Sequence, residues 1–258
     1  MEQNSAKTAV ITGASSGLGR EYVKQVIKSH PEITDFWLIA RRYDKMKELA
    51  YEFQGKKFNI LALDLSKPES FAEYKKQLEE YKPDIKLLIN NSGYGKLGFF
   101  DELGIDEQTG MIDVNIRALT AITRLSLEYM HSGSVILNVC SIAAFIPNPR
   151  MAVYCSTKAF VFSFSKALRE ELKAKNINVL AACPGPMDTE FLSVANIPQG
   201  ASKLFDFCPR VNPSVMAKKS LKCAFNGKAV YTNKFIYKLY RVICKLLPHN
   251  WLMKKFTA

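Results

Sequence analysis

The sequence predicts a single α/β domain in which a parallel sheet carries helices on both faces. Three observations predict it. Short apolar runs alternate with longer segments of helical spacing, the first run ends in a glycine-rich turn that opens a helix, and no linker, repeat or low-complexity tract breaks residues 1–206. Strands covered on both faces read as near-continuous apolar runs, and a repeated strand–helix–strand order builds a doubly wound sheet.

The elements follow in order. Thr8–Thr12 (Thr-Ala-Val-Ile-Thr) is the first strand and Gly17–Ser29 the first helix. The wholly apolar Phe36–Ala40 is the second strand, and Asp44–Phe53 returns to helical spacing through Met46, Leu49 and Phe53. Phe58–Leu63 is the third strand, and Pro68–Tyr81 a helix carrying Phe71, Tyr74 and Leu78. Lys86–Ile89 is a strand, Asp106–Met130 a long helix and Ser134–Val139 the fifth strand. Arg150–Ala174 is helical, and Asn178–Ala182 is the sixth strand, running on to Pro184-Gly185-Pro186. Beyond Pro184 the pattern loosens. Pro198, Gly200, Pro209 and Pro213 punctuate a segment expected to form a lid or pocket wall.

Composition bounds the function. The chain has 258 residues, 48% of them hydrophobic, enough to bury a large core. No run approaches the roughly 18 consecutive apolar residues of a membrane span. The first residues lead straight into a strand, without a basic region or cleavable apolar segment, which sets the expectation of a cytoplasmic protein. The six cysteines form no Cys-x-x-Cys pair and no metal-ligand spacing, so neither a metal nor a disulfide framework is expected. The net charge is +12, yet eleven of the 36 Lys and Arg and none of the 24 acidic residues lie beyond Asp206, leaving 25 against 24 in the body. The basic character is therefore a C-terminal feature. No recognition motif accompanies it, and nucleic acid is excluded as a partner.

Gly13, Gly17 and Gly19 stand directly after the first strand and open a helix. A dinucleotide pyrophosphate needs such a turn, which brings backbone N–H groups and a helix N-terminus up to negative charge in a Rossmann-type sheet. The spacing Gly-x-x-x-Gly-x-Gly departs from the commonest fingerprint, and alone it does not separate a cofactor turn from a structural one. Further motifs follow in order: Asp64 after the third strand, Asn90-Asn91-Ser92-Gly93 after the fourth, and Asn115 in the long helix. Ser141 follows the fifth strand, then come Tyr154-x-x-x-Lys158 and Pro184-Gly185 after the sixth strand. With these motifs, from about residue 7 to about residue 190, the chain resembles the short-chain dehydrogenase/reductase family of the compact single-domain type. It departs at Ser92, where the family usually has Ala, and in the connection His30–Asp35, which lacks a glycine common there.

The residues' own chemistry agrees with what the resemblance implies, an oxidoreductase moving a hydride to or from a carbonyl or alcohol carbon. Tyr154 and Lys158 stand four apart on one helix face. A phenol ionises near about pH 10, and a neighbouring ammonium together with an oxidised nicotinamide is expected to lower that value. Tyr154 then donates or accepts the proton, and Ser141 donates a hydrogen bond to the reacting oxygen. By resemblance, Lys158 also holds the nicotinamide ribose, and Asn115 kinks its helix and holds a water that relays protons to Lys158.

The cofactor expected is NADP(H). Where NAD-binding chains of this fold place a carboxylate for the ribose 2′-hydroxyl, this chain has Arg41, followed by Arg42. Ser15 could add a hydroxyl contact beside them, and Ser16, Leu18 and the three glycines complete the phosphate turn. The resemblance implies that Asp64 with Leu65 meets the adenine. It places Asn90, Asn91, Ser92 and Gly93 along the ribose side, and Pro184, Gly185 and Thr189 near the carboxamide.

The candidate pocket segments Tyr94–Phe100, Ile142–Met151 and Met187–Phe207 are rich in Phe, Leu, Ile and Pro. They point to an apolar small-molecule substrate such as a steroid, a long-chain acyl ketone or an aldehyde. The expected division is a Rossmann-fold catalytic body, 1–206, with a basic extension, 207–258, in the same domain. Across Lys234–Leu247, Lys234, Lys238, Arg241 and Lys245 recur at helical spacing among apolar residues, before Pro248, Trp251, Leu252 and Phe256. That extension either completes the pocket, packs on the body or on a second subunit of a homodimer or homotetramer, or rests peripherally on a membrane surface. Two other functions stay open at this point: a non-catalytic NADP(H)-binding regulator, and a docking protein whose turnover is incidental.

Overall fold

The computed structural model describes residues 6–195 and 208–253. β1 (Lys7–Thr12) leads into α1 (Gly17–Ser29), β2 (Ile33–Ala40) into α2 (Tyr43–Tyr51), and β3 (Lys57–Ala62) into α3 (Glu69–Tyr81). The next unit is β4 (Asp84–Asn90) and α4 (Ile105–Ile112), joined through a π-helical turn (Asp113–Ala118) to α5 (Leu119–Ser126). β5 (Val135–Val139), α6 (Ala152–Glu171), β6 (Asn178–Cys183) and α7 (Glu190–Val194) follow. Beyond residue 207 come α8 (Pro213–Phe225), β7 (Val230–Thr232), α9 (Phe235–Leu246) and α10 (His249–Met253).

The strands form one seven-stranded sheet in the order β3-β2-β1-β4-β5-β6-β7, and every neighbouring pair is parallel. Successive side chains of a strand face opposite sides, so continuous apolar runs fill two cores. Ala9, Ile11, Phe36 and Leu38 pack with Tyr22, Val23 and Val26 of α1 and with Met216 and Leu221 of α8. Val10, Trp37, Ile39 and Leu88 pack on the other face against Tyr74 of α3, Ile122 of α5 and Leu168 of α6. This is the doubly wound, Rossmann-type single domain that the alternation predicts.

Three features differ from expectation. β2 begins at Ile33, so the connection before it shrinks to His30–Glu32. The polar Asp35 is accommodated inside the sheet because its carboxylate accepts hydrogen bonds from Thr8 Oγ1 (3.3 Å) and Trp37 Nε1 (3.2 Å). The long helix expected over Asp106–Met130 is interrupted by the π-helical turn, which contains Asn115, 1% exposed.

The third difference lies past Pro184. Pro198 and Gly200 fall outside the described residues, but Pro213 opens a helix rather than punctuating a loop. Asn212 caps α8 by accepting from Ser214 N (2.9 Å) and Val215 N (3.2 Å), and proline fits the first helical turn because no partner is needed there for its missing N–H. α8 lies on α1, with Tyr22 Oη 2.9 Å from Ser220 Oγ, Gln25 donating to Ser214 Oγ at 3.0 Å, and His30 stacked on Phe225 at 3.9 Å. β7 extends the sheet along β6, Ala181 facing Val230. Among the described residues no helix is long and apolar enough to cross a membrane.

Candidate active site

The sheet order reverses between β1 and β4, and a crevice opens outside the C-terminal ends of these strands. Two turns meet there. Thr12 Oγ1 accepts from Asn91 N and Ser92 N, both at 3.0 Å, while Asn91 Nδ2 donates to Thr12 O (3.1 Å) and Gly13 O (3.3 Å). A Cβ on Gly19 would lie 2.0 Å from Gly13 O, so α1 approaches the turn only because that position lacks a side chain. Gly19 thus supports the turn from behind and does not line the cleft, a correction to its expected cofactor contact.

The cleft has a volume of about 880 Å³, near the top of the range of roughly 300–1,000 Å³ for small-molecule sites. One end is walled by Ser15, Ser16, Arg41, Arg42, Asp64 and Leu65, and the middle by Gly13, Gly17, Leu18 and the Asn91–Gly93 turn. Ser141, Tyr154, Lys158, Pro184, Gly185 and Thr189 line the inner end. These residues fit a dinucleotide. Ser16, at the N-cap of α1, makes no capping hydrogen bond, so the first N–H groups of the helix stay available to a phosphate at the glycine turn.

Asn90 is a second correction. It is 3% exposed and donates to Thr123 Oγ1 (2.9 Å) and Asn138 Oδ1 (2.8 Å), while Asn138 donates to Ser165 Oγ (2.9 Å). As the last residue of β4 its side chain turns into the sheet–helix interior, and of this turn Asn91, Ser92 and Gly93 line the cleft. Asn115 also stands behind the cleft wall. Its Oδ1 accepts from Tyr94 N (3.0 Å), and its Nδ2 donates to Tyr94 O (2.8 Å) and Thr157 Oγ1 (3.0 Å). Only glycine fits between Asn115 and Lys158, since a Cβ on Gly93 would lie 2.9 Å from Asn115 Oδ1 and 3.3 Å from Lys158 Nζ.

At the inner end, Ser141 follows β5 in extended conformation and accepts from Ala143 N at 3.1 Å. Lys158 Nζ donates to Val139 O at 3.0 Å and sits 5.9 Å from the Tyr154 ring centre. The lowering expected of the Tyr154 pKa needs an oxidised nicotinamide beside it, and in the protein alone burial dominates. Burial pushes the phenol well above its ordinary value, a hydrogen bond from Ser141 opposing it. Lys158 is buried beside the Tyr154 ring, and burial pushes its own pKa down.

At the other end, burial pushes Asp64 up, but hydrogen bonds from Ser66 and the Arg41 charge outweigh it and leave the carboxyl below its ordinary value. Arg42 donates to Ser15 Oγ (3.4 Å) and pairs with Glu190 Oε2 (2.8 Å). The bond from Arg42 holds Glu190 below the usual carboxylate range, burial opposing it. Thr189 caps α7 above Gly17, a Cβ on which would lie 3.3 Å from Thr189 Cβ.

The cleft also has an apolar part, with Ile142, Ile146, Met151, Met187, Phe191 and Leu192 in its wall. Of the expected segment Tyr94–Phe100 only Tyr94 lines it, whereas Phe99 and Phe100 face outward. Residues 196–207 of the third expected segment lie outside the described residues. Sequence reasoning did not single out Glu190, Cys140 or Thr157. The helical periodicity of α9 was visible, but not that its Ile236, Leu239, Tyr240 and Ile243 reach the cleft.

The family model of the short chain dehydrogenases matches residues 7–199. The chain is 35% identical over 186 residues to the very-long-chain 3-oxoacyl-CoA reductase of Rattus norvegicus, covering 68% of this chain and 58% of that protein. It is 35% identical over 199 residues to an NADP-dependent 3-hydroxy acid dehydrogenase of Schizosaccharomyces pombe, covering 74% and 75%. With 17-beta-hydroxysteroid dehydrogenase type 3 of Homo sapiens it shares 32% over 195 residues, 73% of this chain and 61% of that one. The chain thus spans about three-fifths of the rat and human proteins. Among solved structures, a short-chain dehydrogenase from Sphingobium yanoikuyae in complex with NADPH superposes with a TM-score of 0.77 at 25% identity, over 94% of this chain and 96% of that one. A 3-ketoacyl-(acyl-carrier-protein) reductase from Brucella melitensis complexed with NADH gives 0.75 at 25%, over 88% and 96%.

Proposed function

The chain belongs to the short-chain dehydrogenase family, and from that premise we propose an NADP(H)-dependent oxidoreductase that interconverts a carbonyl and an alcohol on an apolar substrate. The observation that carries the reading is the meeting of Ser141, Tyr154 and Lys158 at the apolar inner end of a cleft whose other end holds two arginines.

The nicotinamide of a bound NADP(H) supplies or takes the hydride. The chain's own residues handle the oxygen. In reduction, Ser141 donates a hydrogen bond to the carbonyl oxygen as it gains negative charge, and Tyr154 Oη gives it a proton. The Lys158 ammonium then lies close enough to temper the charge left on the phenolate. Asn115 is a positioning residue: by gripping both backbone groups of Tyr94 it fixes the loop that packs beside Lys158. Arg41 and Arg42 favour a 2′-phosphate because a guanidinium offers it charge-assisted hydrogen bonds and offers a 2′-hydroxyl no acceptor. The apolar wall favours lipophilic carbonyls, in keeping with relatives named for very-long-chain 3-oxoacyl-CoA and for hydroxysteroids.

The test is NADPH and NADH oxidation against a long-chain 3-oxoacyl thioester, a ketosteroid, an aldehyde and a short water-soluble ketone. NADPH should be preferred, kcat/KM should rise with apolar size, and Arg41→Asp should weaken or reverse the cofactor preference. Equal kcat/KM for the two cofactors would sink the NADP assignment. Tight NADPH binding without turnover of any carbonyl would favour a regulator instead.

A further inference from the structure

α9 presents four different sides. Its inner side, Tyr237 and Cys244, is 3% exposed, with Tyr237 Oη donating to Pro209 O (2.9 Å) and its ring covering Gly185. A second side, Ile236, Tyr240 and Ile243, lines the cleft. The outward side repeats at intervals of four and three residues: Phe235, Leu239, Val242 and Leu246, exposed by 80%, 48%, 49% and 73%. Beside that stripe, shifted by one residue, runs the exposed row Lys234, Lys238 and Lys245. Among the described residues, packing on the body therefore buries the inner side of the helix and leaves the outward stripe exposed. Trp251 of α10, 54% exposed, stands just beyond its end.

We propose that α9 docks the protein on an anionic lipid surface, its outward stripe set among the lipids and its lysine row against the headgroups, so that the cleft mouth opens at that surface. An amphipathic helix with one apolar side, a lysine-rich flank and a nearby tryptophan has the chemistry for lying in a membrane interface. Charge favours this occupant, because no Asp or Glu occurs beyond Asp206 and the eleven basic residues there make the region complementary to anionic lipid. A second copy of the chain fits less well, since an antiparallel two-fold pairing of α9 would set lysine row beside lysine row. Leu239 joins the two roles: it belongs to the outward stripe and also lines the cleft, so a lipophilic substrate could pass from bilayer to site along apolar surface. The access route rests on reading the cleft as a substrate site, while the docking itself does not.

The experiment floats the full chain with phosphatidylcholine vesicles, with and without phosphatidylserine, at low and high salt, beside turnover of a short water-soluble ketone. Binding should require phosphatidylserine and be released by salt. The double variants Phe235→Ser/Leu246→Ser and Lys238→Glu/Lys245→Glu, none of whose positions lines the cleft, should each weaken binding by about tenfold or more. Both should keep ketone turnover, which also shows that they are folded. Failure of the parent chain to float at low salt overturns the proposal, as does flotation of both variants at the parent's level. Sedimentation velocity supplies the remaining outcome: if the apolar variant splits an oligomer and the parent ignores vesicles, the stripe is a self-interface. Loss of ketone turnover in the parent would instead strike at the oxidoreductase reading and leave vesicle binding intact.

Discussion

Tyr154 is a buried phenol, and burial holds its pKa above the ordinary value. A raised tyrosine pKa keeps the proton on the oxygen throughout the neutral range, which is the form a carbonyl reduction consumes. In reduction kcat/KM should therefore stay flat from about pH 6 to about pH 9, whereas oxidation, which needs the phenolate, should climb with pH over that range. A reduction rate that falls between those limits would assign the proton to another group. Tyr154→Phe should lower kcat by about a hundredfold to ten-thousandfold while NADPH affinity, read by fluorescence titration, stays unchanged. The sequence made Tyr154, Lys158 and Ser141 legible because their types and spacing state their chemistry. It did not distinguish Asn90 from Asn91, since which of two adjacent asparagines faces the cleft depends on where β4 stops. The depth of the phenol was not legible either: helical spacing brings Lys158 near the ring, but burial is set by tertiary packing.

At the scale of elements, the start of α2 and the start of α7 are tied by Arg42 and Glu190 across the arginine end of the cleft. Both side chains are about half exposed, so the pair contributes roughly 0–1 kcal/mol to stability and opens readily. It does, however, hold one of the two guanidinium groups proposed for the 2′-phosphate. Glu190→Gln should free Arg42, lowering KM for NADPH several-fold, with little change for NADH and a melting temperature within a degree or two of the parent. Unchanged KM for both cofactors would show that Arg42 lies outside the phosphate's reach. Glu190 gave no sequence signal, for an acid past Pro184-Gly185-Pro186 acquires its partner only when α7 folds back over the glycine turn. The same holds for α8 and β7. Asn212-Pro213 is a good helix start, but a proline-dotted stretch reads as loop, and Val230–Thr232 is too short to register as an apolar run. The sheet's inner strands were readable because burial on both faces leaves a near-continuous apolar signature, and the edge strand β3 because Phe58, Ile60 and Leu61 still stand out.

The whole molecule is one sheet whose last strand and penultimate core helix come from beyond residue 206. Removing them leaves more than a shortened pocket. α8 buries Met216 and Leu221 against Tyr22, Val23 and Val26, at roughly 1.5–3 kcal/mol for each fully buried aliphatic side chain, which compares with about 5–15 kcal/mol for the net stability of a domain. A chain ending at residue 206 should therefore show no cooperative thermal transition and no NADPH binding. A folded truncation that binds the cofactor would refute this. The clasp of α8 on α1 also has a consequence in time. Tyr22 and Ser220 are 198 positions apart, so the helix that opens the nucleotide cleft cannot be covered until the chain through α8 is available. Closing so long a loop before its contacts can reward it is slow. During synthesis, the ribosome releases α1 well before its partner α8, and through that interval the apolar side of α1 is open to whatever else in the cell binds greasy helices.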